Sequence, residues 1–188
     1  MRPLKIIAIS ILLAVVAQAD SLSQFAKRLE PLASRKRIEA DFTQTRRFNA
    51  IGFEMKSSGR LVVETGKQII WETLNPTKSR CTMTGTSCQV WDELSGKTTS
   101  LPASKYPWVS MVFSLNNAWT TGNLTDLQKE FDIRVLDERT LLLEPRSSGI
   151  ASLFASIKVT FAADYREVLE VCFTEKGGDT ISIAFKGK

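Results

Sequence analysis

The 188 residues are 43% hydrophobic, 24% charged and 9% aromatic, with a formal net charge of +5. Those proportions exclude a disordered tail and a polytopic membrane protein, and set one compact domain as the expectation. There is no His, which excludes a His-based triad, a His-ligated zinc site and an imidazole acid or base.

At the start of the chain, Arg2 and Lys5 lead into an apolar run from Ile6 to Val16, followed by Ala17-Gln18-Ala19. This is the pattern of a secretory signal peptide cut after Ala19. Eleven helical residues rise only about 16 Å, half of a hydrocarbon core of about 30 Å, so a membrane anchor is the poorer reading. Asp20 would be the first mature residue, which leaves no cysteine there to acylate. The expected product, residues 20–188, is a single soluble domain exported to the periplasm. Loss of Arg2 and Lys5 lowers its net charge from +5 to +3. No dense basic run interleaved with aromatics points to nucleic acid.

The mature chain opens on a helix. Ser21 is placed to cap it, and Leu22, Phe25, Ala26 and Leu29 recur at helical spacing, with Pro31 at or close to its end. From there to residue 101 the apolar period is two. Strands read at Ile38 to Arg47, Lys56 to Glu64, Gln68 to Thr73, Ser79 to Thr84, Ser87 to Glu93 and Lys97 to Leu101. Their short connections, among them Thr65-Gly66, Asn75-Pro76 and Ser95-Gly96, force antiparallel neighbours.

Between the fourth and fifth strands, a two-residue turn at Thr84-Gly85 would set Cys81 directly opposite Cys88. An oxidising compartment then permits a structural disulfide, with two free thiols or a redox pair as the alternatives. Cys172, in the apolar run Val168 to Phe173, reads as a buried small hydrophobe.

After Pro102 the rhythm breaks. Trp108, Val109, Met111, Val112 and Leu115 lie at helical spacing, and a second short helix over Asn123 to Glu130 is capped by Asn123. Strands resume at Asp132 to Leu136, Thr140 to Glu144, Ser156 to Phe161, Val168 to Thr174 and Ile181 to Phe185. The fold class is α+β, mainly antiparallel β, with about eleven strands. Because a chain of this length cannot pack a second sheet on eleven strands, an incomplete half-barrel with helices over its mouth is the economical architecture. Inward positions on alternation are Ile38, Ala40, Phe42, Leu61, Val63, Ile69, Trp71, Val90 or Trp91, Ile133, Val135, Leu141 and Leu143. They form either a filled core or the wall of a cavity.

No nucleophile elbow, phosphate loop or metal cluster is present in the sequence. Asp92-Glu93 and Asp137-Glu138 are adjacent on strands or turns and face opposite ways. No catalytic residue, metal or other cofactor is expected.

The ordered segments F-T-Q-T-R-R-F at 42–48, S-S-G-R-L at 57–61 and I-I-W-E-T-L-N-P at 69–76 resemble the LolA-like periplasmic lipoprotein carriers. So do L-T-D-L-Q-K-E-F at 124–131, L-L-L-E-P-R at 141–146 and T-E-K-G-G-D-T-I-S-I-A-F at 174–185. The resemblance spans nearly the whole mature chain. It implies an incomplete barrel whose hydrophobic cavity takes the acyl chains of lipoproteins, an inner-membrane donor complex and an outer-membrane acceptor as partners, and a carrier with no enzymatic activity. Candidate contacts in such a cavity are Phe42, Leu61, Val63, Trp71 and Trp91 on the sheet, with Trp108, Met111, Val112 and Leu115 on the covering helix.

One departure touches function. In the carriers, an arginine beside the proline before the tryptophan strand helps close the lid. This chain reads Glu64-Thr65-Gly66-Lys67 there, so the switch is absent, rebuilt with Lys67 or Arg60, or unnecessary for a different cargo. A monomer carrying lipidated cargo is the expected form. The alternative is a lipid-sensing or protein-binding envelope module of the same shape that does not transfer cargo.

Overall fold

The computed structural model describes residues 22–188. The expected signal sequence and the Ser21 cap lie outside those residues.

A helix, α1, occupies residues 22–28 and buries Leu22 and Phe25 along one stripe, with Leu29 and Leu32 just beyond it. The break falls at Leu29, two residues before Pro31. Pro31 sits in the first turn of a second short helix, α2 (Glu30–Ala33), where a missing N–H leaves no hydrogen bond unmade.

Eleven strands follow: β1 (Arg37–Phe48), β2 (Phe53–Glu64), β3 (Gln68–Asn75), β4 (Ser79–Met83), β5 (Ser87–Asp92), β6 (Thr98–Pro102), β7 (Phe131–Asp137), β8 (Thr140–Pro145), β9 (Phe154–Phe161), β10 (Val168–Glu175) and β11 (Thr180–Gly187). Helix α3 (Pro107–Thr121) and a 3-10 helix (Leu124–Lys129) separate β6 from β7, and a single helical turn, α4 (Ser148–Ala151), separates β8 from β9.

All eleven strands form one sheet in the order β6-β5-β4-β3-β2-β1-β11-β10-β9-β8-β7. Every pairing is antiparallel. β6 and β7 are its two edges, so the barrel is incomplete, as the sequence predicts. The seam joins the first strand to the last, with Phe42 opposite Phe185 and Gln44 opposite Ile183.

The alternation places one apolar row per strand on the inner face, the usual signature of an antiparallel sheet with a single covered side. Gly59 has a specific reason within S-S-G-R-L. At a bulge between β2 and β3, a Cβ there would lie 1.8 Å from the Glu72 carbonyl oxygen.

α3 starts with Pro107 at its first turn and ends at Gly122, whose φ of 73° is the left-handed cap that glycine adopts without strain. It runs six residues past Leu115, the last apolar position counted from the sequence. The expected helix at Asn123 to Glu130 is a 3-10 helix without a side-chain cap. The Asn123 amide donates to the Asp126 carboxylate instead.

The β4–β5 hairpin corrects the predicted register. Met83, not Cys81, faces Cys88, and Cys81 faces Val90. The turn residues are therefore Gly85 and Thr86, because the Thr84 hydroxyl accepts the Ser87 and Thr86 amides and the Thr84 amide donates to the Ser87 carbonyl at 2.8 Å. Cys81 and Cys88 are still joined as a disulfide, across the diagonal, with Cα atoms 6.4 Å apart. Cys172 faces outward between Lys158 and Ser182, half-buried and not in the core. Burial first and Glu170 second raise its thiol pKa.

Two apolar clusters fill the concave side. The larger joins α1 and α3 to β7–β11 through residues such as Phe25, Leu29, Phe131, Leu143, Ile157 and Phe161. The smaller joins Val109 of α3 to Leu61, Val63, Ile69, Met83 and Cys88 on β2–β5.

Candidate functional site

Between α3 and the inner face of the sheet lies a cavity of about 400 Å³, within the range of small-molecule sites. β2 and β3 contribute Leu61, Ile69 and Trp71, while β4 and β5 contribute Cys81, Met83 and Val90. Phe154 of β9, Val171 and Phe173 of β10, and Ile181, Ile183 and Phe185 of β11 form the opposite side. The roof is α3, through Trp108, Met111, Val112, Leu115 and Trp119, a stripe that follows from helical periodicity.

Among the described residues, no ionisable side chain lines this space. Its polar members are Gln44 and Asn116, and the Asn116 amide donates to the Val112 carbonyl of its own helix at 3.0 Å. The wall therefore offers apolar contact and shape, with no group placed for proton transfer or nucleophilic attack. Carboxylates with lowered pKa values lie elsewhere. Hydrogen bonds from Arg37, Arg47 and Arg146 hold Glu39, Glu54 and Asp132 below the ordinary range, and the backbone N–H of Arg139 does the same for Asp137. Adjacent-carboxylate chemistry gains no geometry here, since Asp137 accepts the Arg139 amide at 2.8 Å and Glu93 pairs with Lys78.

The nine predicted contacts divide. Leu61, Trp71, Trp108, Met111, Val112 and Leu115 come together around the cavity. Val63 lines a smaller space of about 60 Å³ towards α2, shared with Leu32, Ile38 and Ala40. Phe42 is buried beneath the Trp71 ring, their centroids 3.9 Å apart. Trp91 is on the outer face, 38% exposed and opposite Arg80, while its neighbour Val90 takes the inward position. Sequence reading missed the β10–β11 side of the wall. The alternating V-x-F at 171–173 and I-x-I-x-F at 181–185 carried that signal. Trp119 continues the α3 stripe one turn beyond Leu115.

At the hairpin joining β1 to β2 the wall runs out into solvent. Beyond Gln44 the inner row of β1 carries Arg46, opposite Ile181 of β11 and Met55 of β2. Arg46 Nη2 pairs with Glu175 Oε1 at 2.9 Å, and the guanidinium carbon stands 4.8 Å from the centre of the Phe48 ring. Its Nε is buried with no acceptor. Phe48 stacks on Phe53, and Ile51, Phe53 and Met55 are 74%, 51% and 52% exposed. Asn49 ties this tip to the β10–β11 turn, its amide N–H donating to Asp179 at 2.9 Å.

The two basic residues nearest the expected lid contact both lie away from the cavity. Arg60 is exposed on the outer face, across from Asp41 and Glu72. Lys67 is exposed in the β2–β3 turn, its backbone N–H bonded to the Glu64 carbonyl.

Among solved structures, the chain is similar to an uncharacterised conserved protein from Thermus thermophilus at 15% identity, covering 89% of this chain and 88% of that one, with a TM-score of 0.49. It is similar to the LolA superfamily protein NE2245 from Nitrosomonas europaea at 9% identity, covering 85% and 90%, with a TM-score of 0.44. It is also similar to a chain in the MucA/MucB complex of Pseudomonas aeruginosa at 14% identity, covering 88% and 55%, with a TM-score of 0.46. No curated protein matches it. A sequence profile described as "Outer membrane lipoprotein carrier protein LolA" matches residues 33–188, from the end of α2 through the last strand, and so the chain belongs to the LolA family.

Proposed function

We propose that this protein is a periplasmic carrier that takes acyl chains of lipoproteins, or of other lipidated cargo, into the α3 cavity and shuttles them towards the outer membrane. The observation that carries the reading is the cavity itself. About 400 Å³ of space is walled by apolar side chains and lacks any ionisable group among the described residues, which suits an alkyl chain and suits little else.

The energetics fit handover without chemistry. Each buried CH₂ contributes about 0.8 kcal/mol, so a chain of about fourteen to sixteen carbons supplies roughly 11 to 13 kcal/mol before ordering costs. A bilayer solvates the same chain about as well, so the net transfer energy is small. Met83 and Met111 in the wall adapt its shape to varied chains. Lys67 and Arg60 face away from α3, so lid control in this member depends on α3 packing or is dispensable for its cargo. On this reading a donor complex in the inner membrane and an acceptor in the outer membrane are its partners.

The test is native mass spectrometry of protein purified from its own periplasm, with extraction and lipid analysis of whatever is bound, followed by incubation with acceptor vesicles. A carrier retains acylated material and releases it to vesicles. A bare polypeptide that takes up no added fatty acid or lipopeptide would overturn the cavity as a cargo site. Uptake without release would instead identify a non-transferring sensor.

A further inference from the structure

On one face of β1, successive inward residues change from greasy to polar to cationic. Phe42 is buried, Gln44 lines the cavity, and Arg46 stands at the edge of the wall opposite the wall residue Ile181. The guanidinium is held on two sides, by Glu175 through Nη2 at 2.9 Å and by the Phe48 ring. Its Nε–H points to no acceptor although the atom is buried. A buried donor on a cation that lacks an acceptor is unfavourable, and a ligand oxygen would relieve it. The Gln44 amide lies one inward position deeper, among the residues that line the cavity.

These two donors lie where the polar end of an amphiphile must sit if its tail occupies the cavity, because the wall itself excludes charge. We infer that Arg46, with Gln44, forms a head-group subsite that selects acyl chains ending in an oxyanion, a carboxylate or a phosphate. The inference rests on the acyl-binding reading of the cavity. Glu175 fixes the guanidinium in place, and its own negative charge opposes a second anion. Head-group selectivity is therefore set by a balance between Arg46 and Glu175. Arg47, the next residue, faces outward and pairs with Glu54, so it takes no part.

The experiment is displacement of a fluorescent apolar probe from the full mature protein by dodecanoate, dodecyl phosphate, dodecanol and dodecyltrimethylammonium. Charge-assisted hydrogen bonds to a partly exposed arginine predict that the two anionic chains bind about tenfold tighter than dodecanol, and the cationic chain weaker still. Arg46→Gln brings the anionic chains to the level of dodecanol, and Glu175→Gln widens the anionic preference about threefold. Arg47→Gln leaves the preference intact. The readout is a ratio within each protein, so a general loss of folding moves both terms together. Millimolar inorganic phosphate leaves dodecanoate bound, since the tail supplies most of the affinity. Its displacement by phosphate would mark a free-anion site and overturn the assignment. Equal binding of anionic and neutral chains, or a preference that survives Arg46→Gln, overturns the subsite alone. Failure of every chain to bind overturns the cavity reading and the subsite together.

Discussion

The two halves of the sheet are covered in different ways. Over β7–β9 the concave face is closed by α1, whose Phe25 meets Phe161 edge-on at 5.5 Å, and by the α3 residue Trp119, which meets the same ring at 6.5 Å. Leu141, Leu143, Ile157 and Val159 beneath them are fully buried. Over β2–β5, α3 sends Val109 into the smaller cluster. Beside it the α3 stripe roofs about 400 Å³ of open space, whose wall runs from β2–β5 across to β9–β11. One sheet thus separates anchoring from capacity. The filled half supplies the packing that holds α3 in place, and the open part leaves space beneath the same helix.

Substitutions that separate stability from uptake break or sharpen this contrast. Phe161→Ala empties the centre of the filled half and is expected to cost about 3–5 kcal/mol in urea unfolding. A loss under about 1 kcal/mol would show that the two halves are packed alike. Removing the disulfide as Cys81→Ala/Cys88→Ala releases a short loop on the open side, with an expected loss of roughly 2.5 kcal/mol on the chain-entropy model, read from the urea midpoint. Val112→Trp projects an indole into the cavity. Since it enters open space, stability should hold within about 1 kcal/mol while uptake of an apolar probe drops. A large destabilisation would mean that this side is packed as tightly as the other.

Acid should act weakly and late. Glu39, Glu54 and Asp132 have lowered pKa values through arginine partners, so their contribution is present above their ordinary values of 4.5, 4.5 and 3.8. It is lost as pH falls through the lowered ones. With no His in the chain, the urea midpoint should stay flat from about pH 8 to about pH 5 and decline only below that. A step near pH 6 would contradict this.

Much of the fold was legible because both periods are clean. Alternation and turn residues place all eleven strands, and Trp108, Met111, Val112 and Leu115 mark the roof. The β4–β5 register was not legible for a definite reason. Turns at Thr84-Gly85 and at Gly85-Thr86 differ by two residues in pairing, which leaves every side chain on the same face. The hydrophobic pattern is blind to such a shift, and the Thr84 hydroxyl decides it. Trp91 was misplaced because Val90 and Trp91 are adjacent apolar residues and either phase fits a strand of six. The position of Arg80 across the ladder, on the solvent side, settles the phase. For β10 and β11 the alternation marks the inward rows, but their place beside β1 is a non-local pairing that no local pattern encodes.

That seam bears on how the molecule comes to be folded. β1–β6 form one run of sequential hairpins, β7–β11 form another, and among the described residues the ladder that joins them is β1 with β11. Each run can assemble from near neighbours, but the halves cannot join until the final strand is available, and closure of that long loop carries the entropic barrier. Until then the inner edge of β1 and the floor under α3 stay unformed. The cavity under α3 therefore takes shape only once β11 has paired with β1.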